Sequence, residues 1–358
     1  MQLGTSVLVK SMKVICAVLA CLYVTACASS SATGQRSARR ELQWPPLPLE
    51  PRIEWVKDIN DYRDAGISKG FWQRLADLVF GEDKTRIIKP YGVFCDEKER
   101  LFVVDVGASV VHVMDMRNKE YFLIGKEDKA VFRTPIAITE DEQENVYITD
   151  SSAGAIYRYS LIRKELSPFV PFKLGRPTGI AYNRRNKLIY VADTTAHQVI
   201  AFGLDGMERM RIGARGDAPG QFNYPTDLFV DAQGSLLVTD SLNFRIQRFS
   251  PDGQLLDVFG RAGDSSGSFA KPKGVAADSE GHIYVCDALF DAVQIFDGTG
   301  RVLLDFGSNG GQEGQFWMPS GIYIDGKDYI YVADTYNRRV QVFRFLKLGD
   351  AMVRGAKK

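Results

Sequence analysis

The sequence predicts an all-β fold: a six-bladed β-propeller of four-stranded blades, with the ring closed by an N-terminal strand and one short N-terminal helix. Three observations predict it. Six times the chain repeats a unit that opens on proline, at Pro90, Pro135, Pro177, Pro225, Pro272 and Pro319. Each unit then runs through two short segments crowded with β-branched and aromatic residues, the second ending in aspartate at Asp105, Asp150, Asp193, Asp240, Asp287 and Asp334. Those aspartates are separated by 45, 43, 47, 47 and 47 residues, the period of a four-stranded blade. Runs of this composition suit strands covered on both faces, which a lone blade cannot achieve. Six copies in a ring give every blade two neighbours and leave only short sheet edges.

Within a unit the proline falls at the first residue of the innermost strand, where a missing N–H costs no ladder bond. Two residues on stand Gly92, Ala137, Gly179, Gly274 and Gly321. Close backbone approach near the axis is the expected reason for so small a residue. The fourth unit departs from the pattern, with Asp227 at that position. The six strand-ending aspartates read as structural, because Asp at a strand end accepts backbone N–H bonds in the next turn. A repeat demands six such equivalents, whereas catalysis does not.

The pattern Pro-x-Gly-Ile/Val, then Ile-Tyr-Val-Ala-Asp-Thr, then Asn-x-Arg-Val/Ile-Gln-x-Phe, with Gly-Gln-Phe ahead of the proline at 220–222 and 314–316, resembles the NHL repeat. The resemblance covers Lys89 to Phe343. Asn243 with Arg245 and Asn337 with Arg339 keep the Asn-x-Arg signature, whereas the other four units carry Ala, Phe, Gln or Val there. The resemblance implies a propeller. It implies no single function, since such propellers serve as enzymes, RNA readers and interaction platforms. Some enzymes of the family, of the peptidylglycine-lyase type, hold a zinc with histidines around the axis. This chain has three histidines: His112 in a third strand, His197 in a turn between second and third strands, and His282 just before a second strand. Successive turns of an up-and-down blade alternate between its ends, so His197 and His282 face opposite ends. They cannot share one metal at about 2.1 Å.

The N-terminal segment reads as an export signal. From Lys13 a cationic start leads into an apolar run from Val14 to Val24, too short to span a bilayer as a helix, followed by Val24-Thr25-Ala26-Cys27. Those four residues resemble the bacterial lipobox, which implies a signal peptide over 1–26 and lipidation of Cys27. Met12 would itself begin such a signal. Ala28 after the cysteine favours, by resemblance to lipoproteins of Gram-negative bacteria, sorting to the outer membrane. Residues 27–51 are expected to form a tether, flexible to Arg40 and stiffened by four prolines from Trp44 to Pro51. The closing strand and an amphipathic helix occupy 52–88. Ile53 to Ile59 alternates as a strand and is expected to supply the outer strand of the sixth blade, because that unit runs out after Phe345 where units three to five continue into a fourth strand. Ser68 to Phe80 places Phe71, Trp72, Leu75, Leu78 and Val79 at helical spacing, as for a helix packed across one end of the ring. Six blades fill 89–348, and 349–358 is a basic tail.

Composition narrows the function classes. A formal net charge of +1 gives no electrostatic reason to expect nucleic acid, and export points the same way. Cys95 and Cys286 fall in units that a six-membered ring does not place side by side, so both read as buried apolar residues without a disulfide. Gly263-Asp264-Ser265-Ser266-Gly267 matches the nucleophile-elbow pattern but lacks the strand before and helix after that the elbow needs. No phosphate loop, zinc-protease motif or haem-attachment motif occurs. Neither a catalytic residue nor a cofactor or metal is assigned.

The residue after each proline is expected to ring an axial mouth. The candidate ligand or partner residues there are Tyr91, Thr178, Thr226, Lys273 and Ser320, with Asp227 just inside and Arg176 beside it. Polar and charged groups of both signs converge on a concave opening, as a binding site requires. The expected function is a lipid-anchored, non-catalytic binding or scaffolding platform for a protein or cell-envelope partner. The alternative is a lactonase-like hydrolase or a lyase with an axial metal-dependent site, for which Asp227 would be the one inward acid.

Overall fold

A computed structural model describes residues 42–46, 48–68, 86–126 and 131–347. The signal segment, Cys27, the polar part of the tether, nearly all of the Ser68 to Phe80 segment and the basic tail lie outside the described residues.

The chain first lays down β1 (Gln43–Trp44) and β2 (Ile53–Ile59). Blade one follows with β3 (Pro90–Cys95), β4 (Arg100–Asp105), β5 (Val110–Asp115) and β6 (Glu120–Ile124). Blade two holds β7 (Pro135–Glu140), β8 (Asn145–Asp150), β9 (Ala155–Ser160) and β10 (Glu165–Pro168). Blade three holds β11 (Pro177–Asn183), β12 (Leu188–Asp193), β13 (Gln198–Gly203) and β14 (Glu208–Ile212). Blade four holds β15 (Pro225–Val230), β16 (Leu236–Asp240), β17 (Arg245–Phe249) and β18 (Leu255–Phe259). Blade five holds β19 (Pro272–Ala277), β20 (Ile283–Asp287), β21 (Ala292–Phe296) and β22 (Val302–Phe306). Blade six holds β23 (Pro319–Ile324), β24 (Tyr329–Asp334) and β25 (Arg339–Phe345), and β2 and β1 complete its sheet. Among the described residues every pairing between strands is antiparallel, as in hairpin-linked blades.

The expected closure is present. β2 pairs with β25 from Ile53↔Phe345 to Ile59↔Val340, so the two ends of the chain share one sheet. Trp55 donates its indole N–H to Asp58 and Gln341, and Arg339 reaches Asp58 at 2.6 Å. One part of the tether reading is corrected. Gln43–Trp44 adds a fifth strand outside β2, and the Trp44 ring lies 5.9 Å from both Phe306 and Phe343. Apolar contact against the blade-five and blade-six core seats Trp44, where the expected tether of 27–51 was stiffened by its prolines but not docked.

The core lies between blades. Phe222, Phe269 and Phe316, one from each Gly-Gln-Phe-type approach to a proline, are fully buried and wedge adjacent sheets apart. Gly213, Gly260 and Gly307 sit on these rings at positive φ, where an added Cβ would fall 2.3–2.4 Å from ring atoms. The signature residues bind the same loops. Gln247 and Gln341 accept the N–H of Gly220 and Gly314, while Asn243 and Asn337 donate to the carbonyls of Gly216 and Gly310. The strand-ending aspartates accept backbone N–H groups as expected, and mostly from the loop that enters their own blade: Asp105 from Ile88 and Lys89, Asp193 from Gly175 and Arg176, Asp287 from Ala270 and Lys271. Each thereby fixes the entry of an innermost strand.

Close approach accounts for the small residue of each inner strand. A Cβ added at Gly92 would meet Ile136 O at 2.4 Å, one at Gly274 would meet Ser320 O at 2.5 Å, and one at Gly321 would meet Tyr91 O at 2.3 Å. These are contacts to the backbone of the next blade, which cannot give way without opening the ring.

Candidate functional site

The ring has two ends. At one, the prolines start the inner strands; at the other, hairpins join the inner strands to the second strands. The residues expected to form a mouth sit at or just inside the proline end, where both Lys273 and Ser320 bond to Tyr91. Lys273 Nζ stands 3.4 Å from the Tyr91 hydroxyl and 5.8 Å from its ring centre, joining blades five and one across the gap left by blade six. Ser320 Oγ donates to Tyr91 O at 3.0 Å and lies 2.7 Å from Thr335 Oγ1. Thr178 and Thr194 share a hydroxyl contact of 2.7 Å, and Thr194 donates to Pro225 O. Thr226 Oγ1 is buried without a hydrogen bond, and Arg176 is exposed. Side chains therefore tie blades five, six and one, and blades three and four, together at this end.

Asp227 is placed differently. It replaces the small residue of its strand and sends its carboxylate to the N–H of Val275 in the next blade, at 3.0 Å. It alone of the expected mouth residues lines a large axial cavity of about 750 Å³, which opens at the hairpin end. Enclosure disfavours its charged form and pushes the carboxyl up to about 7, against the N–H groups of Val275 and Leu228 and the Lys273 charge.

Two layers of inner-strand side chains shape the cavity. The deeper layer is Gly92, Ala137, Asp227 and Gly321. The layer two residues further along, nearer the hairpins, includes Phe94, Phe229 and Tyr323. The Tyr323 ring lies 4.7 Å from Phe94 and 6.1 Å from Phe229, so aromatic groups from blades six, one and four meet. Around the hairpins runs a second set of acids, Asp96, Asp141, Asp231, Asp278 and Asp325, each accepting backbone N–H groups of its own turn. Arg100 is buried among three carboxylates: it pairs with Asp96, and with Glu140 and Glu144 at 2.7 Å each. Burial, helped by the neighbouring Asp96, raises the Glu140 carboxyl well above its usual range. Arg184 of blade three pairs with Glu97 of blade one, passing over the hairpin of the blade between them.

Each histidine is engaged locally. His112 contacts Tyr121 OH at 2.9 Å and Asp105 at 3.3 Å, His197 accepts the Tyr224 N–H, and His282 pairs with Asp278 at 2.8 Å. Among the described residues no three His, Cys, Asp or Glu side chains are grouped to hold a metal ion. An axial calcium would need six to eight oxygens, and the deeper layer supplies one carboxylate. The donor set does not fit such an ion. The Gly263 to Gly267 segment is a loop between β18 and β19, with Ser265 Oγ 3.5 Å from Ser268 Oγ.

With this geometry in view, comparison with known proteins places the repeat. The NHL repeat model matches residues 316–343, and a model described as the SMP-30/Gluconolactonase/LRE-like region matches 139–261. The chain is a six-bladed propeller that carries an NHL repeat over 316–343. Over 37 residues it is 51% identical to the human (Homo sapiens) E3 ubiquitin-protein ligase TRIM32, a stretch that is 10% of this chain and 6% of that protein. Among solved structures, an auxiliary nutrient binding protein from Bacteroides thetaiotaomicron aligns with a TM-score of 0.60 at 16% identity, covering 74% of this chain and 71% of that one. Virginiamycin B lyase from Staphylococcus aureus aligns with a TM-score of 0.54 at 15% identity, covering 72% and 95%. Regucalcin, a calcium-binding protein from Agrobacterium tumefaciens, aligns with a TM-score of 0.55 at 13% identity, covering 74% and 92%. At these identities the likeness shows the propeller fold alone.

Proposed function

We propose that this NHL-repeat propeller is an exported, lipid-anchored, non-catalytic platform that docks a protein partner of the cell envelope on its proline end. One observation carries the reading. An arc of large apolar side chains crosses that end, from Leu242 on blade four and Leu289 on blade five to Trp317 and Tyr336 on blade six and Ile88 on blade one, all 41–59% exposed. The Trp317 and Tyr336 rings meet at a tilt with centres 5.4 Å apart, and Lys89 Nζ lies 5.3 Å from the Tyr336 ring. Exposed apolar surface of this kind marks an interaction site, and Trp and Tyr dominate the energetics of such sites.

Charge selects the partner's chemistry. Lys89, Arg176 and Lys271 precede the opening prolines of blades one, three and five and are exposed, with Lys273 between them and the axis. A matching partner presents carboxylates around an apolar centre. The lipobox-like tetrapeptide ending at Cys27 and the polar stretch behind it support an outer-membrane lipid anchor on a short leash, which raises the local concentration of platform and partner. The metal-dependent hydrolase or lyase reading is weaker because the axis offers one carboxylate where a hard cation needs several oxygens.

The test is site-specific photocrosslinking in intact cells, with a photoreactive phenylalanine at Leu289 or Trp317. A control carries it at Ile162, which is more exposed still and lies at the opposite end. The expected result is one envelope protein captured at 289 and 317, not at 162, with capture lost in the Lys89→Glu, Lys271→Glu double variant. Equal capture at all three positions, or capture indifferent to charge reversal, contradicts the reading.

A further inference from the structure

The cavity at the hairpin end is distinct from the docking face, and its construction specifies a ligand class. We propose that it is a binding site for a small organic cation, an ammonium or guanidinium carried on an apolar body, with the cation seated on Asp227 and the body packed among Phe94, Phe229 and Tyr323.

Size comes first. A volume of about 750 Å³ falls within the range of pockets for small molecules. Its lining takes in the hairpins of blades one, two, three, four and six but none of Tyr91, Thr178, Thr226, Lys273 and Ser320, so a ligand enters from the hairpin side. The Arg184–Glu97 pair, reaching from blade three to blade one, narrows that entrance and favours a free small molecule over a segment of a folded partner.

Charge comes next. The lining holds ten carboxylates and five cationic side chains. Four of the cations are already committed: Arg100 to Asp96, Glu140 and Glu144, Lys98 to Glu144, Arg184 to Glu97 and Lys327 to Glu99. The fifth, Arg185, donates to Ala232 O. Among the described residues Asp141, Asp227, Asp231 and Asp325 have no cationic group within 4 Å. Three of these are held by their own turns; Asp227, at the floor, accepts the Val275 N–H and feels the Lys273 charge from the proline side without pairing with it.

Depth orders the contacts. Phe229 lies two residues beyond Asp227 on β15, about 7 Å nearer the entrance at strand spacing. A cation resting on Asp227 therefore has its attached body level with the aromatic layer, whose ring faces also attract positive charge. Enclosure keeps the empty carboxyl protonated to about pH 7, and a bound cation favours its ionised form. Binding must then tighten as pH rises.

The probe is benzyltrimethylammonium, with benzyl alcohol as its uncharged counterpart, titrated calorimetrically into the full-length protein at pH 5.5 and 8.5. The expected result is saturable binding of the cation, at least about tenfold tighter at pH 8.5 and at least about tenfold tighter than benzyl alcohol. Asp227→Asn should abolish the pH dependence and most of the affinity. Asp227→Gly restores the residue that four sibling blades carry, so it folds while losing the site. Equal binding of cation and alcohol, no saturable binding, or unchanged affinity in either folded variant overturns the proposal.

Discussion

Replacing Arg339 by methionine tests how the ring is held shut. The guanidinium is buried and pairs with Asp334 at 2.8 Å and with Asp58 of the closing strand at 2.6 Å. It also donates to the carbonyls of Gln312 and Gln315 at 2.7 and 2.9 Å. It thus ties the second strand, the entry loop and the closing strand of blade six together. Methionine keeps the stem and removes all of these bonds, leaving two carboxylates without their shared cation. Breaking a buried pair of this kind costs about 3–5 kcal/mol. Asp58 is the lesser partner: its side chain is 19% exposed, and burial raises its carboxyl pKa despite the Arg339 contact. A raised carboxyl opposes folding once pH exceeds its unfolded value, so Asp58→Asn, which keeps an acceptor for Arg339, should lie within about 1 kcal/mol of the parent. Arg245 makes the same bonds to Asp240, Asp217 O, Ala218 O and Gln221 O in blade four but has no closing strand to hold. Urea unfolding followed by tryptophan fluorescence supplies the free energies. The expected order of cost is Arg339→Met at or above Arg245→Met, with Asp58→Asn far below both. A cost under about 1 kcal/mol for Arg339→Met would refute the role assigned to the buried guanidinium.

Other consequences follow from the same contacts. Gly321→Ala drives a Cβ to 2.3 Å from Tyr91 O and should cost about 1–3 kcal/mol or more in urea, whereas Gly298→Ala, with nothing within 4 Å, should stay within about 0.5 kcal/mol. Asp227, at about 7 when folded, keeps its proton while the unfolded chain releases one near pH 4. Parent stability should therefore fall between about pH 4 and 7 relative to Asp227→Asn, by at most about 4 kcal/mol, with no further divergence above pH 8. Cys95 and Cys286 are 3% and 0% exposed, and burial pushes the Cys95 thiol up to about 12. In a chain starting at Glu41 both should resist a thiol reagent at pH 8 until urea unfolds the ring; labelling in native buffer would show the blades open locally.

Most of the architecture was legible because repetition makes local signals reinforce one another. Each Pro, each strand-ending Asp and the count of outer strands point to the same ring, and the closing strand is observed at Ile53–Ile59 as expected. Gln43–Trp44 was not legible: two residues have no period, and Trp44 is placed by a hydrophobic contact with Phe306 and Phe343 that lies some 260 residues or more away in the chain. The expected mouth illustrates a second limit. Position in the repeat puts Tyr91, Lys273 and Ser320 at the starts of their inner strands, but which of them meet depends on their reach across the ring. Tyr91 and Lys273 are long enough to meet. The cavity at the other end went unread because its acids sit in tight turns, where Asp is ordinary, and because its aromatic layer forms only when residues 94, 229 and 323 converge. Asp227 was visible as a break in the repeat, and it is the expected residue that lines this cavity.

A propeller that binds and does not catalyse needs no axial metal, so metal content is the measurement that decides between that reading and the metal-dependent hydrolase or lyase. Elemental analysis by mass spectrometry on protein purified without chelator should find less than about 0.1 metal ion per chain, as one axial carboxylate cannot hold calcium through purification. One equivalent of calcium or of a transition metal, lost on changing Asp227, would contradict the account and direct attention to lactone and ester substrates.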